Sequence, residues 1–378
     1  MIGRFCKQTL QNFYEKSKNK KVVLWGLVEE NIKKAKELST QIECIIDSDP
    51  EHSGLRFDKI KIYMQEHLYA LSPDTHVVLV TSRTANAYSV NKAIKEIGDY
   101  DIFFINVIED RFFEYFSNRL YDNLYRINSI TDTLYDDRSK KIYKEVVHRR
   151  IIGATGEFNI LKTRDNPQYI YLPMFADMGN DEIFIDCGGY IGDSIEKFVN
   201  TFGNKVKKIY SFECFPENIK KIREMSRFVS KEEGYTGEII PAQYALSDKT
   251  GKVKFNDIGK PESGYLPETR LTVEYNEKLA PVNTIEVDTT TIDSYIPENE
   301  KITFIKMDIE GAEYEALKGA EKIIKKYKPR LAISIYHNPD DYWRIYDLIH
   351  SFFADYKFAV RHHQNNHLDT VLYAWVEE

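Results

Sequence analysis

Residues 182–194 read EIFIDCGGYIGDS, and no other stretch restricts the fold as tightly. An apolar run, Ile183-Phe184-Ile185, ends at Asp186 and breaks into Gly188, Gly189 and Gly192. A helical pattern, SIEKFVNTF, starts near Asp193. Strand, glycine turn and helix form the unit by which a doubly wound sheet sets backbone N–H groups and a helix N-terminus against a polar ligand. Three glycines alone specify little. Two further acidic strand ends, in order along the chain, specify more.

The next strand pattern, Lys208 to Phe212, ends at Glu213, where a carboxylate able to hold both hydroxyls of a ribose is expected. The competing reading makes Glu213 a cap for a helix starting at Pro216. A third apolar run, from Ile302, carries Lys306, Asp308 and Glu310 at its carboxyl end. Alternation along a strand places these three on one face, a costly arrangement unless they are paired, solvated or holding an ion. The plainer alternative is a Lys306–Asp308 ion pair, with Glu310 at the N-terminus of the helix GAEYEALKGAEKIIKKY.

Together IFIDCGGYIGDSI, IYSFECFPEN, ALSDKTG, VDTTTIDSY, IKMDIEGAEYEALKGA and AISIYHNPDDYWRI resemble an FkbM-type S-adenosylmethionine (SAM)-dependent methyltransferase over roughly residues 168–378. The resemblance implies an α/β fold: a class I methyltransferase Rossmann-like sheet, mostly parallel with its last strand antiparallel. It implies SAM as cofactor and methyl transfer to a hydroxyl, typically of a sugar in surface polysaccharide or glycan biosynthesis. Asp186, Gly188, Gly189, Tyr190, Gly192, Asp193 and Ser194 are then expected around the amino-acid tail of SAM. Glu213 is expected at its ribose, Leu246 and Ser247 beside its adenine, and Asn218 among the cofactor-binding residues.

An aliphatic hydroxyl is a poor nucleophile, so such transfer calls for a base or a metal. Asp308, Glu310, Lys306 and His337 are the catalytic candidates. A neutral His337 accepts the hydroxyl proton, or Asp308 and His337 hold a divalent ion, Mg or Mn. The bland reading of His337 is a loop residue capping the helix near Pro339.

The length of 378 residues exceeds one ordinary core and suggests two domains. A net charge of −7 disfavours a nucleic-acid partner. No apolar run nears the ~18 residues of a membrane span, and the N-terminus lacks a signal-peptide core, so a cytoplasmic protein is expected. Cys6, Cys44, Cys187 and Cys214 are scattered, against both a disulfide framework and a zinc ribbon. Core packing accounts for most of the 26 tyrosines and 21 phenylalanines.

Residues 1–20 read as an amphipathic helix, and strands and helices then alternate from residue 21 to about 108. That pattern predicts a smaller Rossmann-like domain at 1–108, a helical linker at 109–165 punctuated by Gly153 and Gly156, and the methyltransferase-like domain at 166–378. The first domain resembles nucleotide-binding half-domains of sugar-processing enzymes, but its phosphate turn, WGLVEEN, keeps Gly26 and sets Val28, Glu29 and Glu30 where glycines would help. Docking, acceptor positioning or homo-oligomerisation is the expected role, although Asp47 stands where a ribose acid belongs. An NAD-type oxidoreductase module here, and a noncatalytic SAM- or nucleotide-binding scaffold overall, are the rival readings.

In the second domain, Glu238 to Leu246 predicts a third strand, and Val253–Phe255 with Asn283–Val287 an added strand pair. The polar stretch from Asn256 to Val282 is the expected acceptor-selecting lid. Residues 361–367 (RHHQNNH) predict a polar hairpin. Tyr336, Tyr342 and Trp343 are either sugar-stacking or core residues.

Overall fold

The computed structural model describes residues 13–27, 29–39, 41–81, 87–104, 107–152, 158–164, 167–257 and 283–377. Val28, Gly153, Gly156 and nearly all of the predicted lid lie outside them, as does most of the predicted N-terminal helix, of which residues 13–17 are helical. The chain packs into two compact units, residues 1–122 with 148–158, and 123–147 with 159–378. The segment expected as a linker at 109–165 is thus divided between the two units.

The first unit holds six strands: β1 (Lys21–Trp25), β2 (Ile42–Ile46), β3 (Arg56–Phe57), β4 (Ile60–Tyr63), β5 (His76–Val80) and β6 (Ile102–Phe104). Helices α1 (Glu29–Leu38), α2 (Ala87–Ile97) and α3 (Val107–Asp122) accompany them. The sheet order is β3-β4-β2-β1-β5-β6, parallel except for the β3–β4 hairpin. Strand order reverses between β1 and β5, where a doubly wound sheet opens its ligand crevice. Here Thr81 Oγ1 donates to the Gly26 carbonyl at 2.6 Å, and Asn31 Nδ2 donates to the Thr81 carbonyl at 3.1 Å. Asp47 accepts from the Asp49 N–H at 2.9 Å and lies 3.0 Å from His52 Nδ1.

The second unit begins with α4 (Leu124–Thr133) and most of α5 (Asp137–Ile152). Its main sheet has the order β15-β16-β14-β13-β7-β8-β9. These strands are β7 (Glu182–Cys187), β8 (Val206–Phe212), β9 (Glu238–Ala242), β13 (Phe304–Met307), β14 (Arg330–Ser334), β15 (Lys357–His362) and β16 (Thr370–Trp375). The final strand, β16, runs antiparallel to both β14 and β15, and the rest are parallel. Helices α6 (Asp193–Phe202), α7 (Pro216–Glu232), α8 (Ile292–Tyr295), α9 (Glu313–Lys318), α10 (Glu321–Tyr327) and α11 (Asp341–Phe352) connect them.

One expected strand is broken. Glu238–Leu246 splits because the Tyr244 N–H turns back onto the Ala242 carbonyl at 3.0 Å. The remainder, β10 (Ala245–Leu246), joins β11 (Gly251–Asp257) and β12 (Asn283–Thr290) in a separate sheet of order β10-β12-β11. The expected β11–β12 strand pair is present and runs antiparallel.

Phenylalanines pack the main sheet. Phe184 meets Phe198 edge-on at 5.3 Å and Phe304 at 4.8 Å, and Phe175 lies 5.3 Å from Phe304. Burying each ring contributes roughly 1.5–3 kcal/mol. Cys44 and Cys187 are buried, and burial pushes the Cys44 thiol up to about 12. Tyr342 and Trp343 are 1% and 3% exposed, which decides for core packing over sugar stacking. Among the described residues no helix is long and apolar enough to cross a membrane.

An ion pair between a buried arginine and a half-buried aspartate ties the start of α5 to β15. Arg361 Nη2 lies 2.9 Å from Asp136 Oδ2, and Asp136 also accepts from the Ser139 N–H at 2.7 Å and the Tyr171 hydroxyl at 2.9 Å. Burial alone would raise the Asp136 carboxyl, but Arg361 and these donors hold it below the usual carboxylate range. A depressed carboxylate stabilises the fold above its unfolded value of ~3.9 and loses that contribution as pH falls through the lower native value. Asp136→Asn should therefore cost about 1–3 kcal/mol at pH 7, because it removes the counter-charge of a buried guanidinium that keeps its bonds to Ser139 Oγ and the Val360 carbonyl. The difference from the parent should shrink below about pH 4 in urea unfolding curves. A gap independent of pH would count against a charge-based role for Asp136.

Candidate active site

The strand order of the second unit reverses between β7 and β13, so their carboxyl ends flank the crevice. The backbone after β7 turns sharply. Gly188 has φ +81° and Gly192 φ +90°, and both Gly188 and Gly189 donate N–H to the Phe212 carbonyl at 2.9 Å. A Cβ on Gly188 would stand 2.0 Å from the Asp308 carbonyl oxygen, so a hydrogen is all that fits between the turn and the end of β13. Tyr190 takes φ +47° at the tip of the turn with its side chain 41% exposed. Asp193 opens α6 and pairs with Lys197 at 2.8 Å.

Asp186 and Ser194 lie beneath this turn, at 0% and 2% exposure. Ser194 Oγ donates to Asp186 Oδ2 at 2.7 Å, and Ser211 Oγ donates to the same oxygen at 3.2 Å. Lys306 Nζ sits 3.0 Å from Asp186 Oδ1 and donates to the Gly188 carbonyl at 2.6 Å. Lys306 and Asp186 are register partners on adjacent strands. The Lys306–Asp308 pair of the plainer reading is replaced by Lys306–Asp186, because strand pairing brings Asp186 alongside. Burial would lower the Lys306 ammonium, but Asp186 and Asp308 keep it above its ordinary value.

Glu213 follows β8 and is 8% exposed. It accepts from the Tyr190 N–H at 3.0 Å and the Phe215 N–H at 2.9 Å, so one carboxylate joins the glycine turn to the start of α7. Burial raises its carboxyl, opposed by these N–H groups and by Asn218. Leu246 is buried in β10, and Ser247 Oγ donates to Asp248 Oδ1 at 3.3 Å.

A second polar cluster lies beyond β13. The strand ends at Met307, so alternation does not continue and Lys306, Asp308 and Glu310 do not share a strand face. Instead the backbone coils through Glu310 (φ +55°) and Gly311 (φ +95°). The Asp308 carboxylate receives the Tyr169 hydroxyl at 2.6 Å and the Tyr336 hydroxyl at 3.2 Å. Tyr169 itself has φ +69°, a strained setting for a bulky residue. Its ring lies 5.1 Å from Lys306 Nζ.

His337 is 5% exposed and faces three carboxylates. Its Nε2 lies 3.4 Å from Glu310 Oε2 and 3.7 Å from Asp308 Oδ1, and its Nδ1 lies 3.0 Å from Glu313 Oε1. Burial would lower the imidazole, but Glu313 and Glu310 raise it well above its ordinary value. Asp308 in turn is lowered, its burial outweighed by His337 and Lys306. These carboxylates favour the charged ring unless a cation takes the place of its proton.

Sequence reasoning missed Glu313 and the role of Tyr169. Glu313 stands three residues after Glu310 and opens the helix that the sequence pattern predicts there, and that was the available signal. Asp369 was also missed; it has φ +60°, and burial and Asp308 push its carboxyl up to about 6. His362 and His363 are buried, bonded to Thr370 Oγ1 and the Tyr373 hydroxyl at 2.9 Å each, so this part of the expected polar hairpin is core.

Residues 186–360 match the family model of the methyltransferase FkbM domain. No match was found among curated proteins. The crystal structure of methyltransferase FkbM from Methylobacillus flagellatus KT superposes at a TM-score of 0.69 with 20% identity, over 99% of this chain and 97% of that one. The folds are alike, and the mostly parallel sheet of the second unit is that of class I methyltransferases. A SAM-dependent methyltransferase from Aquifex aeolicus aligns with 15% identity and a TM-score of 0.28 over 64% of this chain and all of that one. Precorrin-6y C5,15-methyltransferase from Geobacter metallireducens GS-15 aligns with 11% identity and a TM-score of 0.32, over 60% and 95%. These two likenesses are too weak to carry further argument.

Proposed function

We propose that the chain, whose residues 186–360 match a methyltransferase FkbM domain, is a SAM-dependent O-methyltransferase acting on a sugar hydroxyl, in cytoplasmic glycan or polysaccharide biosynthesis. One observation supports this most: at the β7/β13 switch point, the glycine turn, Glu213 and the Asp308 cluster converge. The turn from Gly188 to Gly192, with Tyr190 and Asp193, receives the amino-acid tail of SAM. Asp186 and Ser194 support it from below. Glu213, with Asn218, faces the ribose, and Leu246 and Ser247 border the adenine.

The transfer is a displacement. The acceptor oxygen attacks the methyl carbon, the carbon–sulfur bond breaks, and S-adenosylhomocysteine leaves with the electron pair. Collinear positioning in a desolvated site supplies much of the acceleration. The hydroxyl proton needs a basic oxygen. Asp308 is occupied by two phenols, whereas the Glu310 side chain is 39% exposed at the edge of the cluster. Glu310 therefore takes the proton, Asp308 and His337 orient the acceptor, and Lys306 holds the turn. The first unit serves docking or homo-oligomer formation, and no nucleic acid is involved.

Calorimetric titration with SAM and S-adenosylhomocysteine, with NAD as control, tests this reading. Micromolar binding of the first two alone is the expected result; a folded protein that binds neither would overturn it. Glu213→Ala should weaken SAM by about 1–3 kcal/mol, roughly fivefold to a hundredfold, through unpaired hydroxyls and a released Tyr190 N–H. Unchanged affinity would remove Glu213 from the ribose.

A further inference from the structure

We propose that the cluster of Asp308, Glu313 and His337, with Glu310 at its edge, is a binding site for a divalent cation of the Mg2+/Mn2+ class. Ligand atoms of Asp308, Glu313 and His337 all lie within 4.8 Å of one another. Around a cation with metal–oxygen distances of ~2.1 Å, neighbouring ligands stand ~3 Å apart and opposite ones ~4.2 Å apart. Small side-chain shifts therefore suffice to close the group on an ion. The donors are carboxylate oxygens and one imidazole, a set that suits Mg2+ and Mn2+ over thiolate-seeking metals.

Buried, incompletely satisfied atoms are the independent sign. Glu313 is 0% exposed, and its Oε2 is fully buried with no hydrogen-bond partner, while Oε1 accepts the Ile309 N–H at 2.8 Å. Neither ring nitrogen of His337 makes a well-directed hydrogen bond, although carboxylate oxygens stand 3.0–3.7 Å away. Three carboxylates around one imidazole leave an excess of negative charge in a largely buried place, and a buried charge is costly until it is paired or coordinates a metal. Glu313 stands at Nδ1 and Asp308 and Glu310 stand at Nε2, so carboxylate oxygens flank both ring nitrogens of His337.

Occupancy of this site rests on the geometry alone; its use in catalysis rests on the methyltransferase reading. There, the cation would draw in the acceptor hydroxyl and lower its pKa beside Glu310.

The full-length protein, freed of metal by chelator and dialysis, is titrated with MnCl2 while the six-line electron paramagnetic resonance signal of free Mn2+ is followed. About one Mn2+ per chain should bind. Glu313→Gln, which keeps an acceptor for the Ile309 N–H, and the partly exposed Glu310→Gln should each weaken it about tenfold to a hundredfold. No binding by the parent protein overturns the proposal, and so does binding by both folded variants at parental strength. Calorimetry with SAM on the same samples separates the two ideas. SAM binding without Mn2+ removes the cation site and leaves the methyltransferase reading. Mn2+ binding without SAM does the reverse.

Discussion

Gly188→Ala is expected to abolish measurable SAM binding and to lower stability by about 2–5 kcal/mol. Two costs add. At φ +81° any L side chain is strained, by about 1–2 kcal/mol. The new methyl would also stand 2.0 Å from the Asp308 carbonyl oxygen, which is backbone and cannot swing aside. Relief requires the turn to lift away from β13. That breaks the 2.6 Å bond from Lys306 to the Gly188 carbonyl and moves Tyr190 off Glu213. The turn and the end of β13 lose their shared geometry together, so the expected loss exceeds that of removing any one polar contact. Calorimetry with SAM and urea unfolding measure the two effects. A variant that binds SAM like the parent would show that the turn is not held against β13 as described.

Lys306→Met should destabilise the fold by about 3–5 kcal/mol, because it leaves the Asp186 charge buried without a cation. Asp186 is 0% exposed, and after the loss of Lys306 the hydroxyls of Ser194 and Ser211 are what remains against its carboxylate among the described residues. Removing both charges separates pairing from packing. The double variant Asp186→Asn/Lys306→Met should recover much of the loss, since no uncompensated charge remains. Urea unfolding of the two single variants and the double variant completes the cycle. A loss below about 1 kcal/mol for Lys306→Met, or a double variant equal to the sum of the singles, would mean the pair contributes no coupling.

Much of the second unit was legible in the sequence. The strand and glycine turn at 182–192 and the acid at the end of β8 follow from local patterns, because apolar periodicity and glycine preferences act over a few residues; the antiparallel final strand was implied by the family resemblance alone. The errors came where neighbours in space decide. Glu238–Leu246 reads as one continuous strand, but whether it stays in a sheet depends on which strand lies beside it, and β10 finds β12. His362 and His363 look like a polar hairpin, yet Thr370 and Tyr373 on the adjoining strand supply partners that let them be buried.

The site divides in the same way. By itself the sequence determined which chemical groups gather at the strand ends: Asp186, Glu213, Asp308, Glu310 and His337 were all identifiable from position in their motifs. Only the tertiary structure decided how their charges pair. Lys306 lies two residues from Asp308 but joins Asp186, 120 positions away, because parallel strands set Lys306 and Asp186 side by side in register. Glu313 reaches His337 because the coil through Glu310 and Gly311 brings the start of α9 under the end of β14. Coulomb energy in a buried site depends on separations of a few ångströms, and those are set by register and packing rather than by spacing along the chain.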